Sequence, residues 1–288
     1  MLIPPLELTG LTKVFPTPSG PYVAVKDVNV QVQRGEFVCI LGHSGCGKST
    51  VLSIVAGLDE ATYGGVVIDG TEVRGPGSDR AVVFQSPCLL PWLTARENVE
   101  LAACRAEARK KHSSSEGGAC RGPAENADHY LKLVGVSDSG DELPAALSLG
   151  TQQCVSLARA LSLEPRILLL DEPFAQLDSL TRFELQDVLL GVCNDPRRMV
   201  VMVTHDVDEA LYLADRLILM TDGPEATVGD VLRLPFPRPR SRKAVLEHPE
   251  YPACYRHVID FLEHHVQQLR ASPLDSILHG GPKGPHYS

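Results

Sequence analysis

The chain has 288 residues, a formal net charge of −9 at pH 7 and 43% hydrophobic residues. This length is enough for one large α/β domain with an added subdomain or tail, and it supports an extensive core. The negative net charge disfavours general nucleic-acid binding, because proteins that bind polyanions usually present a net basic face.

The first 70 residues show the pattern of an antiparallel sheet. Val28, Val30 and Val32 alternate with polar residues, which is the period of a half-buried strand. Residues 66–71 read as a strand that enters an Asp-Gly turn. We therefore expect antiparallel strands at the start of the fold.

Residues 42–49 read Gly-His-Ser-Gly-Cys-Gly-Lys-Ser and fit the phosphate-binding loop pattern. Glycines in this pattern let backbone N–H groups converge on phosphates, while Lys48 reaches the β- and γ-phosphates and Ser49 supplies a hydroxyl to Mg²⁺. An apolar run at 37–41 predicts a buried strand before the loop, and residues 50–57 predict a helix that ends at glycine. This context is less consistent with the alternative, a glycine-rich surface turn. The predicted nucleotide-binding residues of the loop are Gly42, His43, Ser44, Gly45, Cys46, Gly47, Lys48, Ser49 and Thr50.

Cys46 lies inside this loop, next to the predicted helix N-terminus. A helix N-terminus lowers the pKa of a thiol and increases its reactivity. We expect Cys46, where it is accessible, to be alkylated readily and to be protected by a bound nucleotide.

Strands and helices alternate in the rest of the pattern. Residues 81–84 predict a short strand that ends at Gln85, and residues 94–163 predict helices, interrupted by a polar stretch at 110–123 that predicts a mobile loop. Strands are predicted at 167–170, 199–204 and 216–220, with helices near 180–193 and 207–213. This alternation predicts a mainly parallel sheet covered by helices on both faces.

Two carboxylates follow the apolar run at 167–170 directly, where ligands of parallel sheets gather. Asp171 is placed to hold Mg²⁺, and Glu172 to polarise the water that attacks a γ-phosphate. The alternative for this pair is an acidic first turn of a helix. His205 follows another apolar run and can hydrogen-bond the γ-phosphate, although a lone histidine is more often structural.

Together these motifs resemble the ATP-binding subunits of ABC transporters over most of the chain. In chain order they are the phosphate loop, Gln85, Leu147-Ser148-Leu149-Gly150-Thr151-Gln152-Gln153, Asp171-Glu172, Ala175-Gln176-Leu177-Asp178 and His205. The resemblance implies an α/β fold, the P-loop NTPase fold of ABC ATPases, with an antiparallel β subdomain and a helical subdomain near 88–163. It places the ATP-binding domain at 1–234 and a C-terminal extension at 235–288.

The resemblance also implies ATP hydrolysis with ATP and Mg²⁺ as cofactors. It assigns catalysis to Lys48, Glu172 and His205, and metal binding to Ser49, Gln85 and Asp171. It further assigns nucleotide contacts to Gln85, Asp178 and Phe15, with Phe15 stacking on adenine. A core position for Phe15 in the first strand stays an alternative.

A head-to-tail dimer of ATPase subunits, either identical or different, is a further implication. In such a dimer Ser148 and Gly150 of one subunit contact the γ-phosphate held by Lys48 of the other. The segment 147–153, called here the signature segment, departs from the family pattern at Leu149 and Thr151. Because Ser148 and Gly150 are retained, we expect function to persist, with a non-hydrolysing site as the alternative.

Residues 85–99 resemble importer ATPases for nitrate, sulfonate, taurine and bicarbonate, and residues 220–224 and 235–243 resemble the nitrate, cyanate and bicarbonate branch. This resemblance implies a peripheral protein at the cytoplasmic face of the inner membrane. Its ATP hydrolysis would power import of a small anion, with nitrate or nitrite first, through a separate permease fed by a substrate-binding protein. Other importer substrates and a non-transport ABC module stay open. Trp92 is expected either to anchor the permease or to pack inside the helical subdomain.

The extension at 235–288 begins with prolines interleaved with arginines. It predicts either a basic strap that touches lipid headgroups or a partner, or a solvated linker before a docked helix. Val258, Leu262, Val266 and Leu269 share one face of that predicted helix. The sequence from Ser272 onward predicts disorder.

The eight cysteines contain no Cys-x-x-Cys pair, which favours reduced thiols in a cytosolic protein over disulfides or a zinc site. The first residues lack the basic start and apolar stretch of a signal peptide, and no run approaches the roughly 20 apolar residues that span a bilayer. We therefore expect membrane association only through a partner or a surface.

Overall fold

The computed structural model describes residues 5–112 and 122–270. The strands are β1 (Leu6–Thr17), β2 (Gly20–Val32), β3 (Phe37–Leu41), β4 (Tyr63–Ile68), β5 (Thr71–Glu72), β6 (Arg80–Val83), β7 (Ile167–Asp171), β8 (Met199–Val203), β9 (Arg216–Met220) and β10 (Val228–Arg233). The helices are α1 (Lys48–Ala56), α2 (Ala95–His112), α3 (Pro123–Leu133), α4 (Leu149–Ser162), α5 (Ser179–Val192), α6 (Val207–Leu213), α7 (Arg242–Leu246) and α8 (Tyr251–Arg270).

A six-stranded sheet with the order β10-β9-β3-β8-β7-β6 occupies the centre of the fold. Its neighbouring strands are parallel except for β10, which pairs antiparallel with β9. Every residue of β3 and β8 is buried, which explains their unbroken apolar sequences. The predicted parallel sheet is thereby confirmed. The edge strand β10 was not predicted, because only alternate residues are partly covered and its sequence has no apolar run.

Alternate residues of β3 divide between two hydrophobic clusters. Phe37, Cys39 and Leu41 pack in one cluster, and Val38 and Ile40 pack in the other. This division follows from the pleat, since successive side chains of a strand point to opposite faces. The loop that follows β3 is therefore anchored by both cores.

The N-terminal strands form a second, antiparallel sheet with the order β2-β1-β4-β5. Val28 and Val32 are almost fully buried and the polar residues between them are exposed, as their alternation predicted. Asp69 and Gly70 both have a positive φ in the turn between β4 and β5. Two such residues form a hairpin turn whose twist matches that of the strands, so the predicted Asp-Gly turn is confirmed.

Helices α2, α3 and α4 pack together between β6 and β7 in the chain. The predicted loop at 110–123 is wrong at both ends, because residues 110–112 extend α2 and Pro123 begins α3. Lysine favours a helix even without apolar neighbours, and proline is favoured in the first turn. Residues 113–121, the middle of that prediction, lie outside the described residues.

Arginines of the C-terminal extension pack against the core. Arg238 and Arg240 each pair with Asp215 at 2.5 Å, and the Arg240 side chain is only 2% exposed. Arg240 also donates to the backbone carbonyls of Leu213 and Ala214 at the end of α6. The predicted solvated linker is wrong at these two arginines, because their guanidinium groups bind oxygens of the core. A contact of the basic strap with lipid or a partner stays a prediction.

The predicted C-terminal helix is α8. Val258 is buried and Leu262 is half-buried against the core, which confirms this part of the predicted apolar face. The side chains of Val266 and Leu269, and the tail from Ser272, lie outside the described residues.

We expect Asp215→Ala to lower the free energy of unfolding by about 2 kcal/mol, because it removes the carboxylate that accepts from the almost fully buried guanidinium of Arg240 and from the partly buried one of Arg238. It would also leave the Phe37 N–H, which donates to Asp215 at 2.8 Å, without its acceptor. Urea denaturation of the full chain measures the change. Asp141→Ala is the matched control, since exposed Asp141 pairs with Arg96 at 3.3 Å and such surface pairs contribute about 1 kcal/mol or less. Equal losses in the two variants would contradict the prediction.

Candidate nucleotide-binding site

The loop between β3 and α1 requires glycine at several positions. Gly45 and Gly47 have φ values of 84° and 88°, in the left-handed region that glycine adopts without strain. A Cβ at Gly47 would lie 2.4 Å from a Val25 methyl carbon, and one at Gly42 would lie 2.8 Å from the Cys46 sulfur. The loop is therefore packed against the antiparallel sheet at Gly47, and neither Gly42 nor Gly47 has room for a larger residue.

The side chain of Lys48 is buried within this loop. Its Nζ donates to the backbone oxygens of Gly42 and His43, both at 2.8 Å. The His43 ring is hydrogen-bonded to Asp222, just after β9, at 2.8 Å. Because Lys48 begins α1, its ammonium group and the positive end of the helix dipole favour an anion at the same place.

A cleft of ≈ 470 Å³ lies beside the loop. Its lining residues are Phe15, Tyr22, Ala24, Ser44, Gly45, Gly47, Lys48, Ser49, Thr50, Gln85, Glu172 and His205. The fold thus brings together predicted residues from five separate segments. Tyr22 was not predicted, although it lies directly opposite Phe15 in the β1–β2 pairing. Phe15 itself is half-buried and outside both hydrophobic clusters, so its alternative as a core residue is wrong.

Asp171 ends β7 and contacts the phosphate-binding loop. The Ser49 hydroxyl donates to Asp171 Oδ1 at 2.9 Å. Burial raises the pKa of Asp171, and the hydrogen bond from Ser49 acts in the opposite direction. A hydroxyl and a carboxylate oxygen are ligands that Mg²⁺ accepts, usually together with water and substrate phosphates. These two residues therefore fit a magnesium ion bound to a nucleotide.

No group of three or more histidine, cysteine, aspartate or glutamate side chains has metal-binding geometry in the described ranges 5–112 and 122–270. A magnesium ion at Ser49 and Asp171 would need most of its ligands from phosphate and water. This ligand set is the ordinary one for magnesium in nucleotide sites.

Glu172, Gln85 and His205 form one polar group across the ends of three neighbouring strands, β7, β6 and β8. Gln85 Nε2 donates to Glu172 Oε2 at 3.1 Å, and His205 Nδ1 lies 3.3 Å from Glu172 Oε1. Glu172 has a φ of 45°, and its backbone N–H donates to Val203 at 2.9 Å. Such backbone strain costs of the order of 1 kcal/mol and is typical of functional sites. The alternative that Asp171 and Glu172 start a helix is wrong, because α5 begins only at Ser179.

The remaining predicted residues do not line this cleft. Ser148 is exposed and caps α4, with its Oγ accepting from the Thr151 N–H at 3.0 Å. Gly150 lies in the first turn of the same helix. Asp178 caps α5 by accepting from the backbone N–H groups of the following turn at 3.1 Å. Gly42, His43 and Cys46 belong to the loop but do not line the cleft.

Cys46 differs from its predicted behaviour. It is 1% exposed and packs in the hydrophobic cluster that contains Val51. Burial raises the pKa of the Cys46 thiol, although Lys48, with Nζ 3.8 Å from the sulfur, lowers it. The predicted reactive thiol is therefore wrong, because desolvation of the thiolate outweighs the nearby positive charge.

The parallel sheet, the phosphate-binding loop and the acidic residues after β7 define a P-loop nucleotide-binding protein. The sequence profile of the ABC transporter family matches residues 25–175. The chain belongs to this family and carries its ATP-binding, ATP-hydrolysing domain.

Individual relatives cover most of the chain. It is 51% identical over 257 residues to the nitrate import ATP-binding protein NrtD of Synechococcus elongatus, covering 89% of this chain and 91% of that protein. It is 47% identical over 257 residues to the bicarbonate transport ATP-binding protein CmpD of Synechocystis sp., covering 89% and 88%. Among solved structures, the dimeric post-hydrolysis state of the ATP-binding cassette MJ0796 with ADP and Pi superposes with a TM-score of 0.69 at 34% identity, covering 80% of this chain and 98% of that one.

The burial of Cys46 predicts that it resists alkylation in the native protein. Exposed Cys88 and Cys104 should react with iodoacetamide first, and Cys46 only after unfolding in urea. Peptide mass spectrometry after timed alkylation measures the three sites in one sample, with Cys88 and Cys104 as internal controls. Modification of native Cys46 at the rate of Cys88 would contradict the assigned burial.

Proposed function

We propose that this chain is the ATPase subunit that powers import of a small anion, with nitrate first, through a separate membrane permease. The observation that carries the proposal is the convergence of Lys48, Ser49 with Asp171, and Glu172 with His205 around one cleft. The import role and the substrate class are supported by similarity to a nitrate import and a bicarbonate transport subunit over most of the length. Bicarbonate, cyanate, sulfonate and taurine importers are the alternatives, together with a non-transport ABC module.

In the proposed mechanism the loop and Lys48 bind the phosphates of ATP. Ser49, Asp171 and Gln85 would hold Mg²⁺, and a bound Mg²⁺ would neutralise phosphate charge. Phe15 stacks on the adenine, with Tyr22 beside it on the paired strand.

Glu172 acts as the general base that takes a proton from the attacking water. Its carboxylate is oriented by Gln85 and by His205, whose Nδ1 lies 3.3 Å from Glu172 Oε1. The other ring nitrogen of His205 would donate to the γ-phosphate. The strained backbone at Glu172 holds this carboxylate at the edge of the sheet instead of within it.

Ser148 and Gly150 act in a dimer of two such subunits, identical or different. Both lie at the N-terminus of α4, where backbone N–H groups attract an anion, and Ser148 is exposed. In a head-to-tail dimer they would meet the γ-phosphate held by the other subunit, and Asp178 would lie at the same interface. The dimeric state of the solved relative supports this arrangement.

Trp92 is proposed to anchor the permease. It is 70% exposed, so the alternative that it packs inside the helical subdomain is wrong.

Across 5–112 and 122–270, no helix is long and apolar enough to cross a membrane. The proposed location is peripheral, at the cytoplasmic face of the inner membrane, with a substrate-binding protein acting indirectly through the permease.

We expect Glu172→Gln to keep ATP binding and to lower hydrolysis by about 10² to 10⁴, because a positioned general base contributes that factor. With ATP uncleaved, two subunits clamped around nucleotide should persist as a dimer, since a bound ligand stabilises the state that binds it. Steady-state hydrolysis and size-exclusion chromatography with Mg-ATP measure the two effects.

The control for the dimer is Glu172→Gln combined with Ser148→Arg, which should stay monomeric while its own cleft still binds ATP. Hydrolysis by Glu172→Gln at the parent rate would show that the assigned base is wrong. If Glu172→Gln is inactive but never dimerises with Mg-ATP, the altered signature segment is the cause of the missing dimer.

We expect Trp92→Ala to abolish nitrate uptake by liposomes that contain the permease, with ATPase activity of the isolated subunit unchanged. Truncating an interface anchor costs about 2 kcal/mol or more of binding free energy, and an exposed side chain contributes little to the core. Tyr63→Ala is the matched control, because Tyr63 is 68% exposed on the antiparallel sheet. Loss of activity in the isolated Trp92→Ala subunit would contradict the proposal.

A further inference from the structure

Three buried polar side chains connect α5 to the segment that carries His205. Thr204, at the end of β8, donates from Oγ1 to Glu209 Oε2 at 2.6 Å, and Gln186 Nε2 donates to Glu209 Oε1 at 2.9 Å. All three are buried. We call Gln186, Glu209 and Thr204 the polar relay.

The polar relay fixes the backbone on both sides of His205. The hydroxyl oxygen of Thr204 accepts from the Asp206 N–H at 3.1 Å, and the Asp206 carboxylate accepts from the Glu209 N–H at 3.0 Å. His205 therefore lies between two residues whose positions depend on Glu209. Each carboxylate oxygen of Glu209 accepts from one side-chain donor. Loss of either donor therefore leaves one buried oxygen without its side-chain hydrogen bond.

Arg242, from α7 in the C-terminal extension, completes the polar relay. Its guanidinium lies between the rings of Phe183 and Tyr212, 4.2 Å and 4.1 Å from their centroids. From there its Nη2 donates to Gln186 Oε1 at 2.7 Å. The two rings hold the guanidinium plane in place, since cation–π contacts are favourable on both faces.

The amide of Gln186 needs Arg242 in order to stay oriented. Its oxygen accepts from Arg242 and its nitrogen donates to Glu209, so both ends of the buried amide have fixed partners. Without Arg242 the oxygen is buried and unpaired, and rotation of the amide to find a donor removes the hydrogen bond to Glu209. Buried polar chains are coupled in this way because each member orients the next.

We propose that Arg242 is a positioning residue for His205, acting through the polar relay, and that the C-terminal extension thereby takes part in ATP hydrolysis. The inference rests on the role proposed above for His205. Arg242 does not touch the nucleotide cleft, so its loss should change turnover and leave nucleotide affinity intact.

The test compares Arg242→Met with Arg242→Lys and with the adjacent Lys243→Met. Methionine keeps an unbranched side chain between the rings and removes the donors, whereas lysine keeps the charge without the planar fork. Lys243 is the control, since its side chain is exposed and lies 3.8 Å from Glu247, the residue that follows the same helix. We expect kcat for ATP hydrolysis to fall about 3- to 10-fold in Arg242→Met with KM within about twofold, a smaller fall in Arg242→Lys and none in Lys243→Met.

A purely structural role is distinguished by repeating Arg242→Met in a His205→Ala background. If Arg242 acts through His205, the second substitution should add little to the first, because residues that act as a unit are not additive. If Arg242→Met lowers kcat by the same factor in both backgrounds, the inference is overturned. An unchanged kcat with a lowered melting temperature overturns it as well. If Arg242→Met does not fold, Arg242→Lys is carried through the same cycle.

The role of His205 and the role of Arg242 are disproved by different results. Parent-level turnover in His205→Ala overturns the role of the histidine and the inference with it. Low turnover in His205→Ala, together with full additivity of Arg242→Met, overturns only the inference and leaves the proposed function standing.

Discussion

Burial of β3, β7 and β8 on both faces fixes the relative positions of the side chains at their carboxyl ends. A shift of any of these strands by one residue would exchange the side chains between the two hydrophobic clusters, so their register is strongly determined. The phosphate-binding loop follows β3, the two acidic residues end and follow β7, and His205 lies just beyond β8. The side chains of the cleft must lie within a few ångströms of one another, and the packing of the buried strands, away from the cleft, holds them there.

The unfavourable local features of the molecule are concentrated at that same edge. Glu172 has a left-handed backbone, Lys48 has a buried ammonium group, and burial raises the pKa of Asp171. Each of these features opposes folding when taken alone, and each is held by specific partners. Core strands without such features supply the opposing stabilisation. This division between a strained edge and a relaxed sheet is expected where a rigid scaffold carries a reactive site.

Periodicity alone was sufficient for the parallel sheet, because its strands are continuous apolar runs and its helices lie between them. Periodicity failed where the burial or reactivity of a side chain depends on residues that are distant in sequence. The sequence around Arg240 predicts a solvated segment, but Asp215 and three backbone carbonyl oxygens accept hydrogen bonds from its guanidinium. Cys46 looks reactive from its place beside a helix N-terminus, but the direction of its side chain into a core is not visible in the pattern. Tyr22 was missed because its place in the cleft follows from strand pairing with Phe15. The assignments of Ser148 and Asp178 came from the family resemblance, and their interactions within one subunit are those of helix caps.

The strand order also determines when this protein can fold during its synthesis. β3 is made early, yet its two neighbours in the sheet are β8 and β9, which pair with it through residues 200–203 and 216–219. Pairing across such a separation is slow, because the long loop must close before any contact forms. The strand that leads into the phosphate-binding loop therefore has no sheet partner until β8 has left the ribosome. During that interval its five apolar residues stay without their sheet partners and are a risk for aggregation.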